Sequence, residues 1–197
     1  MRIGLFFGSF NPIHHGHLII ASHIIQENLV DEVWFVISPQ NPFKNQSSLL
    51  NENHRLYLAQ EAIEGADQLR VSNIEFKLPR PSYTVDSMAY LREKYPSHRF
   101  SILMGSDGFE NLPKWKNATH LIKNYAFIIY PRKDHPVTDN HGANIQVTNA
   151  PLIEISSTRI RELIRERKSI RYYVPESVRI AIEKNMFYYN RSENPAE

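Results

Sequence analysis

Apolar positions along this chain alternate between two periodicities. Ile3 to Phe7 is an apolar run without polar alternation, the pattern of a strand buried on both faces of a parallel sheet. Leu18, Ala21, Ile25 and Leu29 then recur at helical spacing, and Val33 to Ile37 is the next buried run. Leu56, Ala59 and Ile63 mark a second helix, Val71 to Ile74 a short strand, and Val85, Met88, Ala89 and Leu91 a third helix. Phe100 to Met104 and Tyr125 to Tyr130 follow as strands, with Ile145 to Val147 as a further candidate. Ile160, Leu163 and Ile164 form one apolar helical stripe. Val178, Ala181 and Ile182 form the last, with Pro175 expected in its first turn.

Strand and helix alternating from the first residue predict an α/β fold, an open parallel sheet with helices on both faces and a small helical C-terminal part. Ligands of such folds bind beyond the carboxyl ends of the strands, so the segment after each strand is where chemistry is expected. Residues 1–190 read as a single domain and 191–197 as a polar tail. There is no repeat and no low-complexity stretch.

Composition changes this picture little. With 42% hydrophobic and 22% charged residues the chain is ordinary for a globular protein. No apolar run approaches the roughly 18 residues of a membrane span. The start of the chain runs directly into a strand-like segment and lacks the marks of a signal peptide, so the cytoplasm is the expected location and no membrane partner is expected. No cysteine is present, which excludes disulfides and thiolate metal sites. A net charge of +2 is too small to argue for nucleic acid. From Arg159 to Arg179, however, seven Arg or Lys face three Glu, which suits an anionic ligand as well as a solvated helix face.

The first chemical signal is Gly8-Ser9-Phe10-Asn11-Pro12-Ile13-His14-His15-Gly16-His17. It is neither GxGxxG nor a Walker loop. Gly8 permits close approach to the backbone, and Gly16 removes a side chain between two imidazoles. A helix beginning near His17 would set free N–H groups and its positive end beside them. His14 and His17 could then donate to one phosphate chain. A zinc pair on a helix is usually spaced i,i+4 with a further ligand, unlike this one. Surface histidines remain an alternative. This segment resembles the signature of the HxGH nucleotidyltransferases, a superfamily with a Rossmann-like fold that moves AMP or another nucleotidyl group from a nucleoside triphosphate.

The second signal is Ile155-Ser156-Ser157-Thr158-Arg159-Ile160-Arg161, about 140 residues later. One serine is explained as an N-cap. Three hydroxyls with Arg159 and Arg161 at a helix start suit a triphosphate tail. Ser156, Thr158 and Arg161 match the superfamily's Ile-Ser-x-Thr-x-x-Arg, and the resemblance assigns them to the β- and γ-phosphates. Gly105 and Asp107, after the strand ending at Met104, suit a sugar hydroxyl; the resemblance assigns them to the adenylate ribose.

Pro39-Gln40-Asn41-Pro42-Phe43-Lys44, Pro81-Ser82-Tyr83-Thr84 and Pro113-Lys114-Trp115 complete the likeness. In this order they are similar to bacterial nicotinate mononucleotide adenylyltransferases, from Arg2 to about Tyr189. The resemblance implies that ATP is held by Gly8, Ser9, Phe10, His17, Gly105, Asp107, Ile155, Ser156, Thr158 and Arg161. It implies that nicotinate mononucleotide is held by Ser9, Lys44, Ser82, Tyr83, Thr84 and Trp115. His14, His17, Lys44 and Arg161 are the implied catalytic donors, with Mg²⁺ carried mainly by ATP phosphates and no protein-built metal cage. Trp115 could instead be a core residue. Phe7, Asn11 and Phe43 depart from the family, which often has Gly, Asp and His there. The alternatives are a nicotinamide mononucleotide adenylyltransferase, a phosphopantetheine adenylyltransferase, a non-catalytic nucleotide sensor and a nucleic-acid module. A homo-oligomer is possible.

Overall fold

The computed structural model describes residues 1–40 and 49–189. Among these residues six strands form one sheet: β1 (Arg2–Gly8), β2 (Glu32–Ile37), β3 (Leu69–Ser72), β4 (Arg99–Gly105), β5 (Ala126–Tyr130) and β6 (Asn144–Val147). All five pairings are parallel, in the order β3-β2-β1-β4-β5-β6. The order reverses between β1 and β4, and the crevice beyond their carboxyl ends, at Gly8 and Gly105, is the topological switch point.

Among the described residues seven α-helices accompany the sheet: α1 (His15–Gln26), α2 (Glu52–Ala62), α3 (Thr84–Lys94), α4 (Ser106–Glu110), α5 (Ala118–Asn124), α6 (Ser157–Arg165) and α7 (Glu176–Lys184). Successive side chains of a strand leave opposite faces, and β1 divides its residues accordingly. Phe6 packs with Ile20 and Ile24 of α1, Leu58 of α2, Ile160 of α6 and Val178 of α7. Ile3 and Leu5 pack with Met88 of α3, Phe109 of α4 and Leu121 of α5. Two cores on one sheet give the Rossmann-like layering expected from the sequence.

The differences are local. Val71 to Ile74 is shifted: β3 ends at Ser72 and Ile74 opens a 3₁₀ turn, Ile74–Lys77. Leu29 lies beyond α1, and Pro175 stands one residue before α7 rather than in its first turn. The buried face of α2 is Arg55, Leu58 and Ala59, with Leu56 at its margin. Helices α4 and α5 were not predicted; at five and seven residues they are too short to repeat an apolar period. The tail 191–197 lies outside the described residues. Among the described residues no helix is long and apolar enough to cross a membrane.

Candidate active site

The segment after β1 folds back on itself before entering α1. Phe10 takes a left-handed backbone (φ 43°) and is 3% exposed. Its ring meets Phe6, Phe35 and His17 edge-on, at 5.6, 5.4 and 4.9 Å between centroids. This apolar packing offsets the strained backbone. A Cβ on Gly8 would come within 2.9 Å of the Phe10 ring. Gly8 thus makes room for Phe10, whose ring packs in the core, and both residues also line the smaller of the two cavities described below.

Helix α1 begins at His15, with His14 as its extended N-cap, two residues earlier than expected. The His14 N–H donates to His17 Nδ1 at 3.2 Å. That bond leaves the proton of a neutral His17 ring on Nε2. The two rings stack with centroids 3.7 Å apart. A Cβ on Gly16 would lie 3.0 Å from the His14 ring, so this glycine is required by the imidazole, as the sequence suggested. The histidines differ in exposure and charge. His14 is buried, and burial first, with the Arg132 charge second, lowers its pKa to about 3. It is a neutral group at pH 7. His17 opens onto both cavities described below.

Helix α6 brings the second motif to the first. Ser156 is its N-cap, accepting from the Arg159 N–H at 3.2 Å. Ser157 Oγ donates to the Pro12 carbonyl at 2.9 Å. Arg161 donates to the Asn11 carbonyl at 2.8 Å and to Thr158 Oγ1 at 3.3 Å. Its Nε is buried without a hydrogen-bond partner, an unspent donor of the kind a phosphate oxygen would satisfy.

Two adjoining cavities lie along this edge. One, of about 300 Å³, runs from Gly8 and Ser9 past Met104 to Tyr83, Thr84 and Trp115. The other, of about 780 Å³, runs from His14 to Ile155, Ser156, Thr158 and Arg161. They share Ser9, His17, Asp107, Arg132 and Ser157. Trp115 is half-buried against the core with its remaining surface in the smaller cavity, so it is neither free nor a closed core residue. Tyr83 is the N-cap of α3, and the N–H groups of Thr84 and Val85 open its first turn. Ser82 lines the smaller cavity, with its hydroxyl donated to the buried Glu75 carboxylate at 2.7 Å. The other Glu75 oxygen accepts from Ser87 at 2.7 Å.

Gly105 ends β4 and Asp107 lies half-exposed in the first turn of α4. Asp107 is 3.8 Å from Arg132 Nε, and the Arg132 guanidinium lies 5.1 Å from the Tyr130 ring centre. Sequence reasoning missed Arg132, although its place directly after β5 is where a ligand group is expected. It also missed Lys116, which stacks on Tyr83 at 4.3 Å and pairs with Asp86 at 3.0 Å. Phe43 and Lys44 lie outside the described residues. The departures at Phe7 and Asn11 are accommodated. Phe7 packs at the margin of one core, and Asn11 Oδ1 accepts from the Leu50 N–H at 3.1 Å.

Residues 5–163 match the family model described as cytidylyltransferase-like. A probable nicotinate-nucleotide adenylyltransferase of Cytophaga hutchinsonii is 46% identical over 192 residues, covering 96% of this chain and 100% of that protein. One of Flavobacterium psychrophilum is 45% identical over 191 residues, covering 95% and 99%. A solved structure of the Plasmodium falciparum nicotinic acid mononucleotide adenylyltransferase complexed with NaAD superposes with a TM-score of 0.80 at 23% identity, covering 95% of this chain and 97% of that one. At that identity the likeness is one of fold. With the family model spanning most of its length and near relatives matching it almost end to end, the chain belongs to the cytidylyltransferase-like family, in its nicotinate-nucleotide adenylyltransferase branch.

Proposed function

We propose that this chain transfers AMP from ATP to nicotinate mononucleotide, giving nicotinate adenine dinucleotide and pyrophosphate. The observation that carries the reading is the meeting of two cavities at His17, between the N-termini of α1 and α6. Each helix start favours a phosphate, and an adenylyl transfer must bring two phosphate-bearing molecules to one point.

ATP occupies the larger cavity, its β- and γ-phosphates at Ser156, Thr158 and Arg161, and its ribose at the boundary with the smaller one, near Asp107, which lines both, and Gly105. The acceptor occupies the smaller one, its ring against Trp115 and its carboxylate on the first N–H groups of α3. The acceptor's 5′-phosphate oxygen forms the new bond to the α-phosphorus as the bond to the β-phosphate oxygen breaks and pyrophosphate leaves. A phosphate monoester with a second pKa of about 6 is largely ionised at pH 7, so no general base is required. The chain's contribution is positioning and charge stabilisation. His17 Nε2 donates where charge builds on the α-phosphoryl group, and Arg132 and Arg161 neutralise the phosphates on either side.

Among the described residues no three His, Asp or Glu side chains converge as a metal site. A Mg²⁺ held mainly by the triphosphate itself would supply charge neutralisation. The testing experiment is stoichiometric pyrophosphate release with ATP and, in turn, nicotinate mononucleotide, nicotinamide mononucleotide and phosphopantetheine. Release with the first acceptor is expected; no release with it refutes the reading.

A further inference from the structure

Arg55 is 0% exposed, a guanidinium enclosed among Leu58, Ala59 and the ends of two strands. A buried charge is expensive unless its hydrogen bonds are met. Here they are met without a carboxylate. Nε donates to the Leu50 carbonyl at 2.8 Å, one terminal nitrogen donates to Ser9 at 2.6 Å and Ser38 at 2.8 Å, and the other to Pro39 at 3.0 Å. The neighbouring Glu52 carboxylate is given to Arg80 at 2.6 Å. All four acceptors of Arg55 are neutral backbone carbonyls, from three separate segments.

Those segments explain the arrangement. The β1–β2 ladder closes with the Ser38 N–H on the Gly8 carbonyl at 2.8 Å. Beyond that point the two strands part, and the carbonyls of Ser9, Ser38 and Pro39 lie away from water with no strand opposite. The planar fork of an arginine spans such a divergence; an ammonium does not. The Ser9 carbonyl and the Phe10 N–H belong to one planar trans peptide and point in opposite directions. Holding the carbonyl inward on Arg55 turns the Phe10 N–H away from the core, on a segment whose Ser9 lines both cavities.

We propose that Arg55 is a positioning residue for adenylyl transfer: it fixes the Ser9–Phe10 peptide, and with it the wall on which the reacting phosphates rest. This rests on the adenylyl-transfer reading above. The role differs from packing alone, because it fixes one peptide's direction at the reacting centre rather than the stability of the fold. A misplacement of about 1 Å at a reacting centre costs on the order of 100-fold in rate.

The test compares Arg55→Lys and Arg55→Met with the unmodified protein at 10 °C, per folded molecule, as counted from thermal melting curves. In Arg55→Lys we expect kcat to fall about 10- to 100-fold, with KM for ATP within about threefold; Arg55→Met falls further. Amide spectra supply a readout that does not need turnover. ATP should shift the Ser9 and Phe10 resonances in the unmodified protein and lose most of that shift in Arg55→Lys, while the remaining spectrum stays native. Equal shifts and equal kcat in folded Arg55→Lys would overturn the inference, as would failure of both variants to fold, which assigns Arg55 to the core alone. If the unmodified protein shows no pyrophosphate release, adenylyl transfer fails separately, and the amide shifts still decide the role of Arg55.

Discussion

The His14 ring lies against the His17 ring, with centroids 3.7 Å and planes 23° apart, while the His14 N–H donates to His17 Nδ1. One histidine thus fixes the position, tautomer and outer face of the other. The two rings differ in setting: His14 is buried and neutral and lines the larger cavity, while His17 lines both cavities.

His17→Ala should lower kcat by about 10²–10³ and change KM for ATP far less, since the lost donor acts chiefly in the transition state. Steady-state kinetics at saturating acceptor check this. A kcat near that of the unmodified protein would remove His17 from the chemistry.

His14 should make stability pH-dependent. Its folded pKa of about 3 lies below the ordinary 6.5, so between those values the unfolded chain binds the additional proton. Its stabilising contribution is then full above about pH 6.5 and is lost as pH falls toward 3, with a slope of at most about 1.4 kcal/mol per pH unit. Denaturant titrations across that window should show a flatter profile for His14→Gln. An unchanged profile would sink the assignment.

Arg161→Ala should weaken ATP and pyrophosphate together and leave the acceptor nearly unaffected. A charge-assisted hydrogen bond is worth about 1.5–3 kcal/mol. Because Arg161 also holds the Asn11 carbonyl, a small drop in melting temperature should accompany the loss. Calorimetry with each of the three ligands separates the effects, and unchanged affinity for both ATP and pyrophosphate would return α6 to an ordinary surface helix.

A site built from α3 backbone donors should prefer the nicotinate over the nicotinamide acceptor by roughly 10⁴–10⁵, because a carboxamide NH₂ would meet them donor to donor. Trp115→Ala should raise KM for both acceptors and leave their ratio nearly intact, since a ring face does not read the substituent. Ser82→Ala should act through Glu75, to which its hydroxyl is committed, rather than through a direct ligand contact. Values of kcat/KM for both mononucleotides provide the check, and a ratio near one rejects this arrangement.

The strands were legible because a doubly covered parallel strand is an unbroken apolar run, and Ile3 to Phe7 or Tyr125 to Tyr130 can hardly be anything else. The two motifs of the candidate site stood out because three histidines in four residues, and three hydroxyls before an arginine, concentrate chemistry in short spans. Arg55 was not, since a lone arginine four residues before Ala59 looks like the polar face of α2, and only the divergence of β1 and β2 makes its burial favourable. Glu75 was hidden likewise: its partner Ser87 lies on α3 and Ser82 just before it. Arg132 was missed because it sits in a connection too irregular to carry a period, although it adjoins a strand that was correctly read.

The bonds from Ser157 to Pro12 and from Arg161 to Asn11 join residues 145 and 150 positions apart. They give the site a date in the chain's own synthesis. The histidine-bearing loop is made first, yet the partners that hold it arrive only after all six strands have emerged. On the proposed placement of the triphosphate at α6, a growing chain therefore carries its imidazoles long before it could grip a nucleotide, and competence to bind ATP would arrive late, when α6 docks against the beginning of the chain.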